Sequence, residues 1–178
     1  MARDSSNLSR RELLKLGACA SLVLSTAGLT ATLSGCSSSQ AANDFAVLRD
    51  SDLPVLRALF PAIVGSHPAL QADGTALELA VRQLDTTLDS TSPAVQRDVL
   101  DLLGMLSLPV TRGPLTGIWG SWDSASPDAL QRFLERWQNS RLDMLRQGYK
   151  ALCQLLLMSW YALPQSWAET GYPGPPTI

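Results

Sequence analysis

Residues 126–162 read SPDALQRFLERWQNSRLDMLRQGYKALCQLLLMSWYA, and this stretch decides the fold class. Its apolar side chains recur at spacings of three, four and eight residues, which places them on one face of a helix. The opposite face is charged as far as Lys150, whereas almost every residue from there to Leu163 is apolar. A Ser-Pro start and Pro164 bound a single predicted helix about 54 Å long. We expect its second half to be buried on most sides, in the core or under a partner. The apolar face consists of Leu130, Leu134, Trp137, Leu145, Tyr149, Leu152, Leu156 and Trp160.

Shorter helical patterns precede this stretch. They predict helices over 53–64 and 75–88 and a third that starts at Ser92-Pro93, whereas 109–125 is expected to be irregular. The tail, 165–176, contains two glycines and three prolines and is expected to be extended beyond a first helical turn. No segment alternates with a period of two. The sequence therefore predicts an all-α bundle with one long C-terminal helix and an extended Pro/Gly-rich tail.

The N-terminus carries two signals that concern location. Arg10 and Arg11 belong to the sequence SRRELLK, which has the form of a twin-arginine export motif. An uncharged stretch follows and ends in LSGC, which has the form of a lipobox with Cys36 as the lipidated residue. The stretch could instead anchor the chain in a membrane, but its 18 residues are short for a span and rich in small side chains. Residues 1–35 are therefore interpreted as a twin-arginine lipoprotein signal peptide.

Cleavage before Cys36 would leave a lipidated flexible tether, 36–44, and one domain, 45–178. Four of the 14 basic and two of the 16 acidic residues lie before Cys36, so the mature net charge is −4. That balance leaves no basic field for nucleic acid. We expect a lipid-anchored protein on the periplasmic side of a bacterial envelope. The residue after the cysteine is Ser37 and not an aspartate, which resembles the pattern of lipoproteins that are held in the outer membrane.

The mature chain lacks the residue sets that catalysis or metal binding requires. It has one histidine, His67, interpreted as a surface residue, and one cysteine outside the lipobox, Cys153, interpreted as buried and inert. The helix-spaced pair Asp85 and Asp89 is interpreted as part of a solvated helix face, as is a second pair at 98 and 101. No motif for haem attachment, zinc, a nucleophile elbow or a phosphate loop occurs. We therefore expect no catalytic residue, no metal and no cofactor on this chain.

The C-terminal region carries a resemblance to a known family. A tryptophan near the start of the long pattern is followed by aromatic-Tyr-x-x-Pro-x-x-Trp-x-x-x-Gly-Tyr-Pro-Gly-Pro. This arrangement resembles the small subunit of membrane-bound gluconate 2-dehydrogenase, called subunit 3. Firm motifs begin only at Trp137, and the earlier helices match in character. The matching residues are Trp137, Ser140, Arg141, Tyr149, Trp160, Tyr161, Pro164, Trp167, Gly171, Tyr172, Pro173, Gly174 and Pro175.

The resemblance implies a non-catalytic subunit. Small subunits of this family accompany a large flavoprotein dehydrogenase of the glucose–methanol–choline class, which carries FAD and the catalytic histidine. They escort that chain through the twin-arginine pathway and stay bound to it. The lipobox departs from the family pattern, implies that this member also anchors the complex, and leaves open whether a cytochrome c subunit is present. The alternatives are a free-standing envelope lipoprotein that binds a small apolar ligand or envelope component, and an enzyme in its own right, which the missing chemistry disfavours.

The partner contact is expected on the C-terminal third, where large aromatic side chains and a stiff tail offer anchors at low entropic cost. Arg141, on the otherwise apolar stripe, is expected to meet a buried acid, a carbonyl or the partner. The alternative is that these aromatics only close the subunit's own core. The predicted partner-binding residues are Trp137, Arg141, Trp160, Tyr161, Trp167, Gly171, Tyr172, Pro173, Gly174 and Pro175.

Overall fold

The computed structural model describes residues 40–72 and 74–174, without the side chains of Ala168 and Glu169. These residues belong to the compact unit that runs from Ser38 to Ile178. Arg10, Arg11, Cys36 and Pro175 lie outside the described residues. The helices are α1 (Leu53–Val64), α2 (Pro68–Gln71), α3 (Thr75–Asp89), α4 (Pro93–Ser107), α5 (Pro109–Thr116), α6 (Pro127–Gln138), α7 (Asp143–Tyr161) and α8 (Trp167–Thr170). Short 3₁₀ turns cover Trp122–Ser124 and Pro164–Ser166. No strand occurs in the described part, so the predicted all-α bundle is confirmed.

Helix α7 is the centre of the bundle, with α1, α3 and α6 packed against it. Its apolar stripe is buried as the sequence predicts, because Leu152, Leu156 and Trp160 are almost inaccessible to solvent. They meet Phe60 of α1 and Leu84 of α3 in the same core cluster. Burying a large apolar side chain fully contributes about 1.5–3 kcal/mol, so this stripe accounts for much of the bundle's stability.

The predicted long helix is divided into two, which corrects the sequence interpretation. α6 ends at Gln138 and α7 begins at Asp143. Asn139 donates from its side chain to the carbonyl of Glu135 and closes α6. The hydroxyl of Ser140 accepts from the N–H of Leu142, which turns the chain before α7. Short polar side chains therefore satisfy the backbone groups that a continuous helix would have used.

Residues 109–116 form a helix, α5, and are not irregular as expected, whereas 117–125 contain only the short 3₁₀ turn Trp122–Ser124. Pro109 opens α5, where its missing N–H costs nothing because the first helical N–H groups have no intrahelical acceptor. Gly117 closes the helix in a left-handed conformation, with φ 77°, that glycine adopts without strain. The proline and glycine that suggested irregular chain are thus the start and the end of a helix.

One residue of the predicted tether is packed against the domain. Ala42 is buried, and its N–H donates to the carbonyl of Leu48 at 2.8 Å. Arg49 pairs with the buried carboxylate of Asp52 and also donates to the carbonyl of Leu100 in α4. The folded unit therefore begins by Ala42, a few residues before the predicted boundary.

Asp85 corrects the prediction of a solvated carboxylate pair. Its two oxygens accept the N–H groups of Ala46, Val47 and Leu48 at 2.7, 2.9 and 2.8 Å. Asp85 is buried, whereas Asp89, one turn later, is exposed. A buried carboxylate is stable here because three backbone donors replace the water that it loses.

Candidate partner-binding surface

The C-terminal end of α7 leads into a cluster of aromatic side chains, Tyr161, Trp167 and Tyr172, which we call the C-terminal aromatic cluster. α7 ends when Pro164 starts a 3₁₀ turn that is held by Ser166, whose buried hydroxyl donates to the carbonyl of Leu163. The indole N–H of Trp167 donates to the carbonyl of Tyr161 at 3.1 Å. The rings of Trp167 and Tyr172 meet edge to face with centroids 5.4 Å apart. The three residues therefore form one connected unit.

The tail folds back on this cluster and does not run free. Gly171 takes a left-handed conformation with φ 67°, and the N–H of Tyr172 then donates to the carbonyl of Trp167. Gly174 lies so close to the indole that a Cβ there would be 3.0 Å from Cζ3 of Trp167. The helical turn that the prediction allowed at the start of the tail corresponds to α8, which ends at Thr170, and the chain then folds back on Trp167. Pro173 is exposed where the chain folds back.

Two of the predicted anchors belong to the core. Trp137 is 2% exposed, stacks edge to face on Phe133 and donates from its indole to the carbonyl of Leu115 at 2.9 Å. Trp160 is fully buried and meets the ring of His67 at 4.8 Å. Neither ring is available to a partner in this structure. These two residues therefore follow the alternative interpretation, in which the aromatic side chains close the subunit's own core.

His67 differs from the expected surface residue. It is half-buried against Trp160, and its Nδ1 accepts from the N–H of Ala69 at 3.2 Å, which caps α2. The histidine therefore has a structural role that depends on a tertiary neighbour.

Arg141 is exposed in the turn between α6 and α7, and none of the ion pairs within residues 40–72 and 74–174 includes it. Its neighbours Leu142 and Met144 are also exposed although they are apolar. An unburied arginine beside exposed apolar side chains is available to a partner, which is one of the three alternatives predicted for this residue.

The apolar half of α7 is only partly covered. Tyr161 and Tyr172 are 53% and 50% exposed, and Met158 is exposed one turn before Tyr161 on the same helix. These residues and Trp167 place exposed apolar side chains at the C-terminal end of the bundle. Their chemistry, rigid aromatic rings with polar tips, suits protein recognition.

A groove of about 400 Å³ lies beside this surface, between α1, α6 and α7. Tyr149 and Cys153 line it. The thiol of Cys153 was expected to be buried, but it is only half-buried. Burial raises the pKa of Cys153, and the hydrogen bond with Cys153 raises the pKa of Tyr149. At neutral pH both groups are therefore protonated, and Cys153 is a poor nucleophile.

Sequence reasoning missed a second exposed surface, at the junction of α4 and α5. Trp119 and Val110 are each 78% exposed, the highest values among the large apolar side chains of residues 40–72 and 74–174. The available signal was the charge pattern, because residues 102–122 contain one charged residue, Arg112, and no acid.

Among the described residues no group of three or more His, Cys, Asp or Glu side chains is arranged to hold a metal ion. Within the same part of the chain no helix combines the length and apolar character needed to cross a bilayer. Comparison of the chain with family models, curated proteins and solved structures finds no match.

Proposed function

We propose that this chain is a non-catalytic small subunit that escorts, stabilises and anchors a periplasmic FAD-dependent dehydrogenase of the glucose–methanol–choline class. The observation that carries the proposal is the C-terminal aromatic cluster, where Tyr161 and Tyr172 are half exposed while Trp167 fixes their positions. Neighbouring exposed aromatic rings are typical of protein interfaces, and a partner chain would bury them. The resemblance to the small subunits of gluconate 2-dehydrogenase supports a large flavoprotein as that partner.

The export signals support the escort and anchor roles. The twin-arginine pathway carries folded proteins, so a chain without its own signal could cross with this one as a preassembled complex. Acylation at Cys36 would then hold the complex on the membrane. Several acyl chains anchor a protein stably, whereas one acyl chain gives only marginal membrane binding. The FAD and the catalytic residues would belong to the large subunit, and a cytochrome c subunit could accept its electrons.

The test is purification of the mature protein from its native envelope in mild detergent, through an affinity tag placed after Ile178 on a flexible linker. We expect a larger chain in stoichiometric amount with flavin absorbance. Purification of the small chain alone, without flavin, from cells that make the dehydrogenase would contradict the proposal.

The escort role has a separate test. Replacing Arg10→Lys together with Arg11→Lys should strand both chains in the cytoplasm, because each depends on one signal. Cell fractionation with an activity stain for the flavoprotein reports the result. Normal export of the flavoprotein in this variant would remove the escort role but keep the subunit role.

The groove beside Cys153 favours a second candidate function, a free-standing envelope lipoprotein that binds a small apolar ligand. Its volume of about 400 Å³ lies within the range of ligand pockets, and Ile63 and Leu157 line it. The groove is less suited to an apolar ligand because it is open to solvent and polar side chains also line it, namely Gln131, Glu135 and Lys150. Native mass spectrometry of the protein from the envelope separates the two: a bound small molecule favours the second function, a bound protein the first.

A further inference from the structure

The junction of α4 and α5 carries apolar side chains that the bundle does not use. Val110 and Trp119 are each 78% exposed, and Met105 and Leu108 are 39% and 38% exposed. We call these four residues the α4–α5 corner. None of these four residues belongs to the C-terminal aromatic cluster.

The exposure of Trp119 is fixed by its surroundings. The flanking residues Ile118 and Trp122 are buried, and the indole of Trp122 donates to the carbonyl of Leu106 at 2.9 Å. The ring of Trp119 lies across α5 at Gly113, where a Cβ would be 2.6 Å from its Cε3. Buried neighbours on both sides thus hold this segment while the ring stays outside.

The charges around the corner are basic in an otherwise acidic molecule. Between Asp101 and Asp123 the only charged residue is Arg112. Arg136 of α6 reaches the same region, where its guanidinium donates to the carbonyl of Leu115 at 2.7 Å. Glu135 beside it offsets part of this charge. The corner therefore presents apolar side chains with arginines at their edge, although the mature chain has a net charge of −4.

The predicted lipid attachment point is close in sequence to the first buried residue of the folded unit. Cys36 precedes Ala42 by six residues, so a fully extended chain separates them by at most about 20 Å. The N–H of Ala42 donates to the carbonyl of Leu48. The side chain of the next residue, Arg49, packs against α4, where its Nη2 is 3.4 Å from the position that a Cβ at Gly104 would occupy. Gly104 directly precedes Met105 of the corner. The first described residues are therefore linked, through Leu48 and the side chain of Arg49, to the part of α4 that leads into the corner.

We propose that the α4–α5 corner is the membrane-facing side of the protein, with Trp119 and Val110 inserted into the headgroup region of an anionic bilayer. The proposal rests on the lipid anchor of the proposed function. Tryptophan is enriched at membrane interfaces because its ring is apolar and its N–H is polar. Arg136, which is exposed, would meet lipid phosphates, whereas Arg112 is half-buried. Since the lipid already holds the domain at the surface, weak insertion of a small corner suffices to orient it.

The experiment uses the full chain, exported and processed in a bacterial host, purified from membranes and reconstituted into vesicles of phosphatidylethanolamine and phosphatidylglycerol. The acyl chains carry bromine near the headgroup, which quenches tryptophan fluorescence only on contact. We expect Trp119→Phe to remove about half or more of the quenching, since the interfacial ring is lost. The matched control is Trp167→Phe, which changes a partly exposed tryptophan outside the corner and should keep the quenching. Phenylalanine preserves an apolar ring at both sites, and circular dichroism checks that both variants fold.

The outcomes separate the inference from the proposed function. Quenching that does not depend on Trp119, in a protein whose N-terminal peptide carries the lipid by mass spectrometry, overturns the corner assignment alone. An N-terminus without lipid overturns the anchor and the corner together. If Trp119→Phe instead costs a co-purifying protein and leaves the quenching unchanged, a protein covers the corner and the assignment to lipid is wrong.

Discussion

Asp85 ties the N-terminal segment of the folded unit to α3 through three backbone N–H groups. We expect Asp85→Asn to lower the free energy of unfolding by about 2–3 kcal/mol, because an amide cannot accept all three bonds and leaves buried donors unpaired. Asp89→Asn, one turn later and exposed, is the matched control and should change it by less than about 0.5 kcal/mol. Urea unfolding of the soluble mature domain measures both. Equal effects at the two positions would contradict the role of Asp85.

A second contact links α1 and α3 at the surface and makes stability depend on pH. Arg57 donates to both carboxylate oxygens of Glu78, at 2.6 and 3.0 Å. The hydrogen bond from Arg57 lowers the pKa of Glu78, and the same bond raises the pKa of Arg57. Both side chains are substantially exposed, so water screens the pair and its contribution is below about 1 kcal/mol.

The lowered pKa of Glu78 determines the direction in which stability changes with pH. The stabilisation is fully present above the unfolded-state pKa of about 4.3 and is lost as pH falls through the folded-state pKa. We therefore expect Glu78→Gln to have a slightly lower melting temperature than wild type at pH 7, with the difference disappearing in acid. Melting curves across this range test it, and a difference that stays constant into strong acid would show that the ion pair is not its source.

The residues that sequence reasoning predicted correctly are those whose partners are close in the chain. Ser92 and Ser126 accept from N–H groups three residues later, so a cap can be recognised from a short pattern. Asp85 and His67 were misassigned because their neighbours come from distant segments. A carboxylate at helical spacing looks the same whether water or a folded-back loop satisfies it.

At the scale of elements, the difference between local and distant partners also explains which helices could be predicted from the sequence. Periodicity predicted α1, α3 and α4 and the buried face of α7, since an amphipathic stripe is a property of one segment. It did not detect the break at 139–142, because the apolar spacing continues in phase across it. The exposed Tyr161 and Trp119 could not be told from core residues either, because an aromatic ring fits a core and an interface equally well.

The contact between α6 and α7 depends on a residue without a side chain. Gly148 lies inside α7, and a Cβ there would be 2.6 Å from Cζ3 of the buried Trp137. Alanine favours a helix over glycine by up to about 1 kcal/mol, but overpacking a core costs about 1–3 kcal/mol. We therefore expect Gly148→Ala to destabilise the domain by about 1–2 kcal/mol, as measured by thermal unfolding.

The control for this prediction is Gly104→Ala in α4. A Cβ there would meet only the guanidinium of Arg49, at 3.4 Å, so the helix propensity should dominate and stability should hold or rise. If Gly148→Ala is as stable as Gly104→Ala, then the close approach of α7 to Trp137 does not limit the packing.

At the scale of the whole molecule, the proposed function separates two kinds of aromatic residue. Trp137 and Trp160 close the core, whereas Tyr161 and Tyr172 present half of their surface to solvent at the end of the bundle. Trp167 lies between the two kinds, because it is partly buried and holds both tyrosines through a hydrogen bond and an edge-to-face contact. A substitution can therefore remove the candidate interface without touching the core.

We expect the double variant Tyr161→Ala, Tyr172→Ala to lose the co-purifying flavoprotein while the isolated subunit keeps its melting temperature. An aromatic hot spot contributes about 2 kcal/mol or more, so affinity should fall by at least about 30-fold. Trp167→Ala should weaken binding as well, because it releases Tyr172. Val95→Ala, at an exposed apolar site on α4, is the control and should leave the complex intact. Retention of the flavoprotein by the double variant would place the interface elsewhere. A double variant that no longer folds alone would assign the two tyrosines to the subunit's own stability, since a surface pair should change it by less than about 1 kcal/mol.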